Sequence, residues 1–126
     1  MFSIFKRRDA AVYPSDEIGD ALYKHCSDPT SLPDRVSLWY DAYFDTEADA
    51  DSFSKYLHDR RIEVVRDYDE EPDEGYGRWN VDWEFPVRAR HLDMKMAHED
   101  MLRAIASDHG KLGSWLLLGW DDDDAD

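Results

Sequence analysis

The sequence predicts an α+β domain: an antiparallel four-stranded sheet with two helices on one face, preceded by a further N-terminal helix. Apolar and polar residues alternate strictly over 78–87 and again from residue 35, as they do in half-buried strands. Apolar residues recur at helical spacing over about 47–60 and 91–109. After the N-terminal helix, the elements therefore follow the order β-α-β-β-α-β, which is the split βαβ, or ferredoxin-like, sandwich.

The chain starts with a predicted N-terminal extension, residues 1–14, followed by a helix that begins at Ser15. Ser15 can act as the N-cap, and Ile18, Leu22 and His25 fall on one helical face. A loop rich in turn residues and prolines follows over 27–34. We expect residues 15–120 of the 126-residue chain to form one domain, because that length can support a single core.

The next two predicted elements are a strand and a capped helix. The strand starts at Arg35, and every second side chain should face the core: Val36, Leu38, Tyr40, Ala42 and Phe44. Thr46, with Asp49 three residues later, is typical of a capping box, so a helix is expected over about 47–60. Ile62 to Asp69 then forms the second predicted strand.

The second half of the chain contains the clearest strand pattern. The side chains expected to point toward the helices are Trp79, Val81, Trp83, Phe85 and Val87. A short acidic link joins this strand to the preceding one, which favours an antiparallel hairpin. A long helix should end at Gly110, a last strand should run from Ser114 to Trp120, and the acidic tail 121–126 is expected to be disordered.

Two helices cover only one face of such a sheet, so the opposite face should be partly solvated. Asp41, Asp82 and Glu84 alternate with apolar positions and fit a solvated face. Trp39 and Tyr43 fall on this open face too, where the N-terminal helix could cover them.

Composition excludes several classes of protein. The chain has 30 acidic and 15 basic residues and a formal charge of −15, whereas a nucleic-acid-binding protein needs clustered Lys and Arg to neutralise phosphates. No apolar run approaches the roughly 20 residues of a membrane-spanning helix. The single cysteine, Cys26, excludes an internal disulfide and is typical of a reducing compartment, so we expect a cytoplasmic protein.

No catalytic or cofactor motif is present in the sequence. His91 and His98 are seven residues apart, whereas zinc-binding helices usually place two histidines three or four residues apart. Both are therefore predicted to be histidines on the surface of a helix. We expect no metal, no cofactor and no enzymatic activity.

Acidic residues are concentrated in two places. The proposed partner-binding residues are Glu70, Glu71, Asp73 and Glu74 in one loop, and Asp121, Asp122, Asp123 and Asp124 after the last strand. Such clusters either keep a protein soluble or steer it to a basic partner, which here would be a protein.

Three short segments resemble the motifs of one known family. Cys26-Ser27-Asp28-Pro29 resembles its G-S-D-P segment, with Cys26 in place of glycine. Asp45-Thr46-Glu47-Ala48-Asp49-Ala50 resembles its opening of the first helix, often T-E-E-D-A. Gly110-Lys111-Leu112-Gly113-Ser114-Trp115 resembles its closing G-x-Y-D-G-W segment. The family is the regulator of ribonuclease E activity B (RraB) family, and the resemblance extends over about residues 15–120.

The resemblance implies a ferredoxin-like domain, not an enzyme, that binds ribonuclease E and lowers its activity. It implies contact with the disordered, arginine-rich scaffold region of that nuclease, a target that carboxylates suit. Two other functions stay open. One is an immunity- or antitoxin-type protein that neutralises a basic nuclease toxin, and the other is a small enzyme or ligand-binding domain that uses the open sheet face.

Overall fold

The computed structural model describes residues 8–120, and these form an α+β domain. The described helices are α1 (Glu17–His25), α2 (Glu47–Asp59) and α3 (His91–Ser107), with one 3₁₀ turn at Pro29–Ser31. The strands are β1 (Arg35–Phe44), β2 (Val64–Tyr68), β3 (Trp79–Arg88) and β4 (Lys111–Gly119). The predicted α+β class and four-stranded antiparallel sheet are therefore confirmed, whereas the last strand begins three residues earlier than predicted.

The sheet has the strand order β2-β3-β1-β4, and every neighbouring pair is antiparallel. The central strand β1 pairs with β3 along its whole length and with β4 on its other side. It follows that β1 and β2 run parallel to each other with β3 between them, and that β3 and β4 run parallel with β1 between them.

The alternation predicted for β1 and β3 is confirmed. All five predicted β1 core residues are buried, and Val81 and Trp83 of β3 are buried opposite Ala42 and Tyr40. The Trp83 ring packs edge-on against Phe53 of α2, with ring centroids 4.8 Å apart. The period-two pattern thus directs one face of both strands toward the helices.

Helix ends follow local capping chemistry that the sequence predicts only in part. Thr46 caps α2 as predicted, since its hydroxyl accepts a hydrogen bond from the Asp49 amide at 3.1 Å. The prediction that Ser15 caps α1 is wrong: Asp16 is the N-cap and accepts from the Gly19 amide at 2.7 Å. Likewise, His109 and not Gly110 takes the left-handed conformation that ends α3.

Helix α1 does not cover Trp39 and Tyr43, so that expectation is wrong. It packs beside α3 and β4 on the face that the other helices occupy, where Ile18 and Leu22 join the core. Glu17 at its start accepts a hydrogen bond from the Trp115 indole at 2.7 Å. Because α1 packs there, its apolar stripe is buried against the core and the opposite face of the sheet stays open.

The prediction that His98 lies on a helix surface is also wrong. Its side chain is buried beneath α1, and a hydrogen bond of 2.8 Å joins its Nδ1 to the Tyr40 hydroxyl. The Trp115 ring lies beside it, with centroids 4.9 Å apart. His91 is only half-buried and pairs with Asp16 at 2.7 Å. One histidine therefore serves as a hydrogen-bonded core residue, a role that helical spacing alone does not show.

Stability should depend on pH through His98. Burial lowers the pKa of His98 below its ordinary value, so the folded chain binds a proton on this ring less readily than the unfolded chain, which protonates it below about pH 6.5. The unfolded state then binds more protons, and the free energy of unfolding should fall by up to about 1.4 kcal/mol per unit as pH drops below about 6.5. Urea unfolding of the protein and of His98→Gln between about pH 7.5 and 5 measures this, and the variant should lose that part of the slope.

The control is His58→Gln, which replaces an exposed histidine and leaves the buried contact between His98 and Tyr40 in place. Equal slopes for the protein and for His98→Gln would contradict the lowered pKa of the buried ring.

Candidate functional site

The acidic loop, residues 69–78, connects β2 to β3 at one end of the sheet. The Asp69 carboxylate accepts the Glu71 amide at 2.9 Å, and the Asp73 carbonyl accepts the Tyr76 amide at 3.0 Å. Gly75 has a φ of +85°, which favours glycine at this turn. These contacts hold the predicted carboxylates at the surface: Glu70, Glu71, Asp73 and Glu74 are all exposed.

This loop closes over the open sheet face and forms a small hollow of about 220 Å³. We call it the acidic hollow; its lining residues are Asp41, Tyr43, Asp69, Asp73, Tyr76, Gly113 and Ser114. Of the predicted binding residues, only Asp73 lines the hollow. Asp121, Asp122, Asp123 and Asp124 lie outside the described residues.

A β-bulge in β4 shapes the floor of the hollow. Asp41 pairs with Ser114 and Ala42 with Leu112, so Gly113 is the extra residue. The bulge presents Ser114 to Asp41 Oδ1, which accepts the Ser114 amide at 2.5 Å and the hydroxyl at 2.9 Å. Asp41 is thereby held in one orientation, with its second oxygen 3.5 Å from the Tyr43 hydroxyl.

Carboxylates continue from the hollow across the sheet. Asp41 lies directly opposite Asp82 in the β1–β3 register, and Asp82 lies opposite Val65. Burial raises the pKa of Asp82 above its ordinary value, a hydrogen bond from Trp39 opposes this shift, and the nearby charges of Asp67 and Asp41 add to it. Like charges on adjacent strands repel, so this part of the face favours an incoming cation.

Aromatic rings form the wall of the hollow. The Tyr43 and Tyr76 rings meet edge to face with centroids 4.9 Å apart. Lys111 Nζ lies 4.6 Å from the Tyr76 ring centroid and donates to the Gly75 carbonyl at 3.2 Å. The surface of the hollow thus already accepts one cation of this chain in a cation–π contact.

Sequence reasoning identified the loop but missed Asp41, Tyr43 and Tyr76 as parts of one site. The alternation of β1 placed Asp41 and Tyr43 on the open face, which was a usable signal. Their meeting with Ser114 depends on the bulge at Gly113, and no periodicity in the sequence indicates a bulge.

A larger groove of about 830 Å³ lies at the opposite end of the sheet. Arg35, Arg88, Arg90 and His91 line it together with apolar residues of the 29–33 loop. The two ends of the domain therefore differ in charge.

Two structural features are absent from residues 8–120. No group of three or more His, Cys, Asp or Glu side chains in this range is arranged to hold a metal ion. No helix in the same range has the length and apolar content needed to cross a bilayer. Cys26, at the end of α1, is half-buried.

In comparisons with known proteins, no family model and no curated protein sequence matched this chain.

Replacing Gly113 should disturb the hollow. A Cβ at this position would lie 2.5 Å from Asp41 Oδ1 and 2.6 Å from Tyr43 Cε2, so Gly113→Ala should lower the free energy of unfolding by about 1–3 kcal/mol. Chemical denaturation measures the change.

Gly119→Ala is the matched control in the same strand, because a Cβ there would meet only His25 Cε1 at 4.0 Å. An equally small effect of both substitutions would show that the bulge does not hold Asp41 and Tyr43 as described.

Proposed function

We propose that this chain is a binding protein and not an enzyme, and that it inhibits ribonuclease E or a related RNA-processing enzyme. In this proposal, an arginine-rich segment of the partner lies on the acidic hollow and the acidic loop. The observation that carries it is the convergence of Asp41 and Asp73 with the Tyr43 and Tyr76 rings on one hollow. A cytoplasmic location is part of the proposal.

The chemistry of the hollow suits a guanidinium group. Carboxylates accept the paired N–H groups of arginine, and aromatic faces stack on its plane. Lys111 already places its ammonium against Tyr76, which supports a cation-accepting role for this wall. A hollow of about 220 Å³ has room for side chains but not for a folded element.

The exposed carboxylates of the loop suit a different task. Glu70, Glu71 and Glu74 do not line the hollow, so they act at longer range by attracting a basic segment and raising its association rate. The formal charge of −15 adds to this field. Together, the loop would steer the partner and the hollow would hold it.

The segments that resemble the RraB family have structural tasks in this chain. Asp28 caps the 3₁₀ turn through the Thr30 amide at 3.0 Å, and Thr46 caps α2. In the closing segment, Gly113 forms the bulge and Trp115 packs on Tyr40 and His98. The motifs therefore support a shared fold more directly than a shared partner, and the acidic surface supports the partner.

We also propose that the fold is the ferredoxin-like, split βαβ arrangement. Its support is that β1 and β2 run parallel with β3 between them, and that β3 and β4 run parallel with β1 between them. Helix α1 is an addition to that pattern.

The proposal predicts slower partner binding when the loop loses its charge. The variant replaces the four loop carboxylates: Glu70→Gln, Glu71→Gln, Asp73→Asn and Glu74→Gln. Because these groups are exposed, each change should alter stability by no more than about 0.5 kcal/mol. The association rate with a ribonuclease E scaffold fragment should fall at least about tenfold at low salt, and its salt dependence should flatten.

A matched control removes four exposed carboxylates elsewhere: Asp34→Asn, Glu63→Gln, Glu99→Gln and Asp100→Asn. This control has the same net charge as the loop variant. Equal association rates for the two variants would show that the loop acts only through its contribution to the net charge of the protein. Binding to a basic nuclease toxin but not to the scaffold fragment would instead favour an immunity- or antitoxin-type function.

A further inference from the structure

We propose that the open sheet face associates with the same face of a second copy of this chain, forming a two-fold symmetric dimer. The dimer shares Asp41 with the acidic hollow, so a second copy and the proposed partner would compete for that residue. The inference starts from two pairs of facing residues that the register of β1 and β3 places on the open sheet face. One pair consists of two positive residues and the other of two negative residues.

The two pairs lie at opposite ends of the same ladder. Arg35 lies opposite Arg88, and Asp41 lies opposite Asp82. All four alternate with the buried positions of their strands, which places them on the face away from the helices. Each pair is repulsive within one copy.

Among residues 8–120, the acidic residue that shares a groove with the arginine pair is Asp34. Within the part of the chain that the structure describes, neither arginine side chain has a hydrogen-bond or ion-pair partner. By contrast, Arg8 and Arg66 are each paired with an aspartate. The two adjacent guanidinium groups therefore offer hydrogen-bond donors that carboxylates of a second copy can accept.

The spacing of the pairs is self-complementary. Both are three residues from the Leu38–Phe85 pair. Consider two copies stacked with their open sheet faces together. The two-fold axis lies midway between the two sheets, runs perpendicular to the strands and passes over the Leu38–Phe85 pair. This axis brings Arg35 of one copy above Asp41 of the second. It also brings Arg88 above Asp82 of the second copy. Four arginine–aspartate pairs result.

Sheet geometry permits these contacts. Packed sheets lie about 10 Å apart with strands within about 30° of each other. Each charged pair is about 10 Å from the axis, so a rotation of about 30° displaces it by about 5 Å. The long arginine side chain can span that displacement.

Two leucines of β4 supply apolar contacts near the centre of the proposed interface. Leu117 pairs with Leu38, so the axis also passes between Leu116 and Leu118. The axis places Leu116 of one copy against Leu118 of the second, and these side chains are 53% and 37% exposed in the single chain. Glu84 lies at the same level, and its carboxylate accepts the Ser37 hydroxyl at 2.5 Å within its own copy.

The size of the face predicts a weak dimer. Four strands and eight residue levels cover about 19 Å by 26 Å, or about 1,000 Å² over both copies, which is at the lower limit of specific interfaces. Repulsion between two chains of formal charge −15 weakens association further. We expect dissociation constants in the micromolar-to-millimolar range.

The test is a charge swap across the interface, measured by sedimentation equilibrium of the full chain. Arg88→Glu alone places Glu above Asp82 of the second copy, and Asp82→Lys alone places Lys above Arg88. Each variant should dimerise at least about tenfold more weakly than the wild type. An equimolar mixture should recover a heterodimer of near wild-type affinity, because both contacts are then attractive.

Lys24→Glu is the control, because it changes the charge equally at an exposed site on α1. It should dimerise like the wild type. Should Asp82→Lys fail to fold by circular dichroism, Leu116→Asp replaces it, since this exposed position carries little folding risk; that variant should also be at least about tenfold weaker. A wild type that stays monomeric at millimolar concentration, or folded variants whose mixture does not associate, would overturn the dimer.

Discussion

The pairing register of the central strand β1 is the constraint on which the rest of the structure depends. Because strand side chains alternate between faces, the register that buries Leu38 and Tyr40 also sends Asp41 to the opposite face. A slip of one residue would exchange the two sets and destroy the core. One alternation therefore sets both the core and the place of Asp41 on the open face, and the bulge at Gly113 and the acidic loop complete the hollow around it.

The open sheet face carries pairs of like charges that repel each other. Facing Asp41 and Asp82 repel, as do facing Arg35 and Arg88, and each such pair costs on the order of 0.2–1 kcal/mol. Water screens both pairs, since the helices, including α1, all lie on the other side. The uncompensated charge leaves binding energy available to a partner: an arginine-rich segment at the acidic hollow, and a second copy across the whole face.

Elements with strong alternation or local capping were predictable from the sequence. The buried face of β1, the inward Trp83 and the Thr46 cap depend on contacts within one strand or one turn, so the sequence pattern contains them. Burial of His98 was not predictable, because it depends on which face of the sheet α1 packs against. That packing is a tertiary contact that no local pattern in the sequence specifies. The hollow was half predictable: the acidic loop is visible in the composition, but its meeting with Asp41 needs the bulge at Gly113.

A nuclear magnetic resonance titration tests the central claim, that the acidic hollow is a recognition surface for arginine, most directly. Adding an arginine-rich peptide from the ribonuclease E scaffold to the isotope-labelled chain should shift backbone signals of Asp41, Tyr43, Tyr76 and Ser114 along one saturable curve. Signals of α2 and α3 should stay in place, because the helices cover the other face of the sheet. Saturable shifts confined to the helices, or small unsaturable shifts at every exposed carboxylate, would contradict the account.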